Sequence, residues 1–137
     1  MGKTTNARAA AARILGQLLA GQGSLNSHLA GYSEHDSCAL IQEFCYGVCR
    51  YFFALQAAVD QLLNKPLRSK DRDVYCLLLV GAYQIYQMRI PDHAAVNETV
   101  QAARALKKPW ARGLVNSMLR RLIDRKDQWQ DLSQCEK

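Results

Sequence analysis

No segment of the chain alternates apolar and polar residues with a period of two, so nothing in it reads as a half-buried β-strand. No apolar run approaches the roughly 18 residues of a membrane span, and Met1–Arg13 has charge but no apolar core of a signal peptide. The five cysteines, Cys38, Cys45, Cys49, Cys76 and Cys135, contain no C-x-x-C pair and are odd in number. They read as reduced thiols, which predicts a cytoplasmic protein. Gly21-Gln22-Gly23 follows a helical pattern instead of a strand, so it is no phosphate-binding loop. Repeats and low-complexity runs are absent too. Acidic residues are missing before Glu34, and between Arg104 and Lys126 only Asp124 is acidic.

What is present is helix. At 137 residues, with 49% apolar and 22% charged residues, the chain has the size and composition of one globular domain. Ala7, Ala11, Ile14, Leu15, Leu18 and Leu19 share one helix face, and Gly21 and Gly23 stop that helix. A short helix is expected over Leu25–Leu29. Ser33 and Asp36 offer caps for the next helix. Its stripe runs through Leu40, Ile41, Phe44, Cys45, Val48, Cys49 and Phe52 and continues to Leu63, with a break near Tyr51–Phe53. Pro66 closes this arm. Ser69 and Asp71 open a helix that is apolar nearly all round from Val74 to Met88, which marks it as central. Gly81 inside it predicts a close helix crossing. Asp92 is a candidate cap for a helix through Val96, Val100, Ala103 and Leu106. Lys107-Lys108-Pro109 interrupts that helix, and Trp110, Ala111, Leu114, Val115, Met118, Leu119, Leu122 and Ile123 give the stripe of the last one. Residues 1–127 read as one helical domain. Residues 128–137 read as a polar tail or the start of a linker.

The net charge of +6 is unevenly distributed. Lys3, Arg8 and Arg13 stand in the acid-free N-terminal region. Arg104, Lys107, Lys108, Arg112, Arg120, Arg121, Arg125 and Lys126 form a basic run. On a helical wheel Arg112, Asn116, Ser117, Arg120 and Arg121 lie opposite the apolar stripe. Such a ridge attracts phosphate, and arginine adds bidentate hydrogen bonding and stacking. The alternative is an ordinary solvated helix face, but ordinary faces mix both signs. Lys3, Arg8, Arg13, Lys107, Lys108, Arg112, Arg120 and Arg121 are therefore the candidate RNA-binding residues. Arg8 and Arg13 point about 140° apart around their helix and need not act together.

Catalytic and metal-binding readings find no support. Cys45 and Cys49 are one turn apart but sit on the apolar stripe, where cysteine acts as a small hydrophobe. Structural zinc normally takes four ligands. His28, His35 and His93 are scattered, with no nucleophile beside them. Glu98, next to Asn97 near a helix start, reads as a cap or a buried-pair partner. No catalytic residue and no metal ligand is assigned.

The run Leu77-Leu78-Leu79-Val80-Gly81-Ala82-Tyr83-Gln84-Ile85, with Arg89-Ile90-Pro91-Asp92-His93-Ala94-Ala95-Val96-Asn97-Glu98-Thr99-Val100, resembles the signature of the NusB family. So do Lys107-Lys108-Pro109-Trp110-Ala111-Arg112-Gly113-Leu114-Val115-Asn116-Ser117-Met118-Leu119-Arg120-Arg121, Asn6-Ala7-Arg8 and Gln42-Glu43-Phe44-Cys45-Tyr46-Gly47-Val48. Within that family the Arg-Ile-Pro-x-His-Ala-Ala turn and the short Lys-Lys-Pro connection are most similar to the N-terminal domains of bacterial small-subunit rRNA cytosine-5 methyltransferases. The resemblance implies an all-α NusB-like bundle of about six to seven helices, arranged as two stacked three-helix bundles. It implies engagement of ribosomal RNA and packing against a methyltransferase domain that uses S-adenosylmethionine. None of the five cysteines here follows a proline, as the finishing cysteine of those enzymes does, so this chain alone is not expected to transfer a methyl group. Two other readings stay open. One is a stand-alone transcription antitermination or ribosome-biogenesis factor that binds RNA and a ribosomal protein. The other is a docking domain without RNA contact.

Overall fold

A computed structural model describes residues 6–134, so Lys3 and Cys135 lie outside the described residues. Among these residues there are no strands. Eight α-helices follow one another: α1 (Ala7–Leu19), α2 (Leu25–Ala30), α3 (Cys38–Arg50), α4 (Phe52–Asp60), α5 (Arg72–Gln87), α6 (Asp92–Ala105), α7 (Arg112–Ile123) and α8 (Trp129–Gln134). Single 3-10 turns, Ser69–Asp71, Pro109–Ala111 and Lys126–Gln128, lead into α5, α7 and α8.

The central helix is α5. Val74, Cys76 and Leu77–Ile85 are buried, and α1, α3, α4, α6 and α7 all pack against it. The remaining helices keep one apolar face and turn it toward that axis, so burial, the largest favourable contribution to folding, is shared around one element. Gly81 lies where α5 and α7 cross. A Cβ there would come within 2.5 Å of Leu119 Cδ2, which is the close approach its sequence context predicts.

Local chemistry sets the helix ends. The Asn6 side chain caps α1 by accepting from the Ala9 N–H at 3.0 Å. Ser24 and Ser27 form a reciprocal capping box on α2. Neither Ser33 nor Asp36 caps α3. Ser37 occupies the cap position and makes no side-chain hydrogen bond there. Likewise Asp92 is the first residue of α6, after Pro91, and spends its carboxylate on Lys126 at 2.8 Å.

Within the expected polar tail, Trp129–Gln134 form a helix that packs on the fold. Trp129 is 7% exposed and stacks on Tyr86 with ring centroids 4.9 Å apart. Its indole N–H donates to Gln87 Oε1 at 2.6 Å, and α8 packs against α4. A single large aromatic anchors an otherwise polar segment. Polarity along the sequence does not register an anchor of that kind.

One polar network is buried in the core. Arg8 Nε–H donates to Gln84 Oε1 at 2.8 Å, and Gln84 Nε2 donates to Thr99 Oγ1 at 2.8 Å, with both Gln84 and Thr99 fully buried. The chain links α1, α5 and α6. No buried side-chain nitrogen or oxygen among the described residues is left without a partner.

Candidate nucleic-acid interface

The sequence-predicted cations separate into two populations. Arg8 points inward: besides Gln84 it lies over the Phe44 ring, 5.2 Å from its centroid. Burial lowers its pKa from the ordinary value, and the nearby Glu98 carboxylate opposes that shift. Arg13 Nη2 donates to the Ala105 carbonyl at 2.6 Å, tying α1 to the end of α6. Arg121 Nη1 donates to the Leu62 carbonyl at 3.0 Å, tying α7 to the segment after α4. Lys108 is the most heavily engaged. Its ammonium lies 3.1 Å from Asp71 Oδ1 and 2.7 Å from Asp73 Oδ1, and it donates to the Lys70 carbonyl at 2.6 Å. Desolvation pulls its pKa down, but the hydrogen bonds and charges of Asp73 and Asp71 outweigh that and raise it.

The expectation that Asp124 alone opposes the basic run is therefore corrected. Asp71 and Asp73, at the start of α5, neutralise Lys108, and Asp92, at the start of α6, neutralises Lys126. These acids are distant in sequence, Asp73 by 35 residues from Lys108.

The second population faces solvent. Lys107, Arg112 and Arg120 are exposed, and among the described residues none of them forms an ion pair. Their side-chain partners are neutral: Arg112 Nε donates to the Pro109 carbonyl at 3.3 Å and Arg120 Nε to Asn116 Oδ1 at 3.1 Å. On α7 these arginines point about 80° apart and stand about 12 Å apart along the axis. Lys107 has φ 65, the one non-glycine residue with positive φ among those described. It occupies the left-handed position of a Schellman end: Lys107 N–H donates to the Arg104 carbonyl and Lys108 N–H to the Ala103 carbonyl. A lysine in that conformation carries a cost of about 1 kcal/mol that glycine would not.

Three groups at this corner were not singled out by sequence pattern. Trp110 falls on the apolar stripe when α7 is extended backward, yet it is 57% exposed. The reason is that α7 begins at Arg112, and Trp110 belongs to the preceding 3-10 turn, which follows a different period. Arg68 and Lys70 are exposed on the turn before α5, which Lys108 pins beside the turn before α7.

Nothing else in the described residues offers a reactive centre. Burial pushes the Cys45 and Cys76 thiols up to about 12, with Cys49 adding to the first and Asp73 to the second. That is the opposite of the lowered pKa a nucleophilic thiolate needs. No group of three or more His, Cys, Asp or Glu among the described residues is placed to hold a metal. No helix of the described residues is long and apolar enough to cross a membrane. S-adenosylmethionine does not fit the described residues: among them there is no strand to carry a glycine-rich turn, and Gly21-Gln22-Gly23 follows the end of a helix. No step of methyl transfer follows from this chain.

Comparison with known proteins agrees with the fold and the residue pattern. The chain is 46% identical over 123 residues to "Probable ribosomal RNA small subunit methyltransferase B" of Coxiella burnetii, a match covering 90% of this chain and 28% of that protein. It is 48% identical over 120 residues to ribosomal RNA small subunit methyltransferase B of Pseudomonas putida, covering 85% of this chain and 27% of the relative. The protein of the same name from Vibrio cholerae is 45% identical over 123 residues, covering 88% and 28%. The chain thus spans little more than a quarter of the length of these relatives. Residues 5–124 match the model of the NusB family, and the chain belongs to that family.

Proposed function

We propose that this chain is the RNA-engaging module of an S-adenosylmethionine-dependent small-subunit rRNA (cytosine-5) methyltransferase, helping to hold 16S rRNA and leaving the chemistry to a methyltransferase domain. The observation that carries this reading is the exposed set Lys107, Arg112 and Arg120, which no carboxylate among the described residues neutralises. Charge presented in this way on a rigid helix and its preceding turn binds a polyanion through counterion release. The names of the relatives supply the class of RNA and the reaction. Lys3, Arg8, Arg13, Lys108 and Arg121 were candidates by sequence. Four of them bind groups on other elements of the fold, whereas Arg112 and Arg120 bond only within three or four residues, so the phosphate contacts are assigned first to Lys107, Arg112 and Arg120.

The test is a chimera. This chain replaces the homologous N-terminal segment of the Pseudomonas putida relative, and methylation of 16S rRNA is followed at steady state. Alanine at Lys107, Arg112 and Arg120 is expected to raise KM for rRNA while kcat holds, because it removes binding made before and during the reaction alike. A relative lacking the whole segment yet keeping its KM would refute the proposal.

The family match over nearly the whole chain also favours a second reading, a stand-alone transcription antitermination or ribosome-biogenesis factor that binds RNA with a ribosomal protein. On that reading the chimera does not methylate, and the chain instead binds RNA more tightly when a ribosomal protein is present.

A further inference from the structure

An exposed tryptophan is an expensive thing to leave in water, and Trp110 is not isolated. It lines a surface cavity of about 290 Å³ together with Arg68, Lys70 and Asp71. Asp71 is 5% exposed and already paired with Lys108 at 3.1 Å and, more loosely, with Arg68 at 3.9 Å, so the cavity does not present a free carboxylate. Lys107 and Arg112 flank Trp110 in the chain, both exposed. The indole is thus bordered by cations on two segments, the turn before α5 and the turn before α7, which Lys108 fastens together through Lys70, Asp71 and Asp73. Pro109 and the 3-10 geometry hold the Trp110 backbone, so little ordering is needed to present the ring.

We propose that Trp110 is a stacking platform for an unpaired nucleobase, whose flanking phosphates meet Lys107, Arg112, Arg68 and Lys70. An exposed aromatic ring that shares a cavity with two cations suits one nucleotide better than it suits an apolar protein surface. The ring takes the base, and the ammonium and guanidinium groups take the backbone. The base must be unpaired, because in a duplex both of its faces are already stacked on neighbours. The strained lysine at position 107 fits this use: a left-handed residue that stability alone would make glycine carries an exposed charge three residues before Trp110. This inference rests on the RNA-binding reading above and adds the residue that takes a base.

The experiment uses the 137-residue chain with three probes: a short single-stranded RNA, the same sequence as a duplex, and the same strand with its bases removed. Binding is measured across a range of salt concentrations for the parent chain, Trp110→Ala and Trp110→Phe. Trp110→Ala is expected to weaken single-strand binding about tenfold. It leaves the salt slope unchanged, since no phosphate contact is lost, and leaves duplex and baseless-strand binding unchanged. Trp110→Phe recovers most of the loss. Equal single-strand affinity for Trp110→Ala and parent, with the parent still salt-dependent, overturns the stacking proposal and leaves RNA binding standing. Equal weakening of all three probes also overturns it, since a base-specific contact cannot produce that pattern. A parent chain that binds none of the probes removes both proposals. Melting temperature serves as the control, and the exposed position of Trp110 predicts no change in it.

Discussion

Helices α1 and α6 end in the same hydrogen-bond motif but fill its left-handed position differently. At the end of α1, Gly21 N–H donates to the Leu18 carbonyl and Gln22 N–H to the Gln17 carbonyl, with Gly21 at φ 77. At the end of α6 the corresponding donors are Lys107 and Lys108, with Lys107 at φ 65. The α1 end is what folding alone would select. The α6 end gives up stability to place one exposed cation three residues before Trp110 and a second, partly exposed one in ion pairs with Asp71 and Asp73. Adjacent lysines therefore do opposite work: Lys108 holds two turns together and Lys107 is left available.

The sharpest way to break this comparison is to remove each lysine in turn. Lys108→Ala strips the close cation from the nearly buried Asp71 and is expected to destabilise the fold by about 3 kcal/mol in urea unfolding, whereas Lys107→Ala costs under about 0.5 kcal/mol. The raised pKa of Lys108 sets the pH dependence. A pKa higher in the folded chain than in the unfolded one stabilises fully below the ordinary lysine range and less as pH rises through the folded value. The gap between parent and Lys108→Ala should accordingly persist at neutral pH and narrow in strong alkali.

Arg8→Ala is the next largest effect. It leaves Gln84 Oε1 buried without its donor, a loss of about 2 kcal/mol. RNA affinity of the folded fraction should not follow, because Arg8 belongs to the inner population.

Lys107→Gly sharpens the comparison in both directions at once. Matching the residue at the end of α1 should stabilise the chain by about 1 kcal/mol. The same change removes one phosphate contact and reduces the salt slope of single-strand binding by about 0.7. A variant that is stabilised and binds RNA as before would leave Lys107 no functional role.

The smallest stability effect belongs to Arg120→Ala, within about 0.5 kcal/mol, since its guanidinium is exposed and donates to the neighbouring Asn116 on the same helix.

Much of the fold was legible in the sequence because its cause is periodic. The stripes of α1, α3, α5 and α7, the break at Tyr51, and the Gly81 crossing follow from spacing alone. The site was legible only in part. Spacing identifies which side chains leave the core on α7, and Arg112, Arg120 and Arg121 do so. It does not reveal which distant carboxylate meets a given cation, and so Lys108 could not be told from Lys107. Nor does a helical wheel apply to Trp110, which sits before α7 begins, or reveal that Trp129 docks a polar segment onto Tyr86. Tertiary pairing and 3-10 turns lie outside what periodicity encodes.

The most direct measurement is the salt dependence of single-stranded RNA binding by the 137-residue chain and by its Lys107/Arg112/Arg120→Ala variant. With three phosphate contacts removed, the log–log slope should shrink in magnitude by about 2 while the melting temperature stays put. Superimposable slopes for the two proteins would contradict the claim that these outward-facing cations bind the RNA backbone.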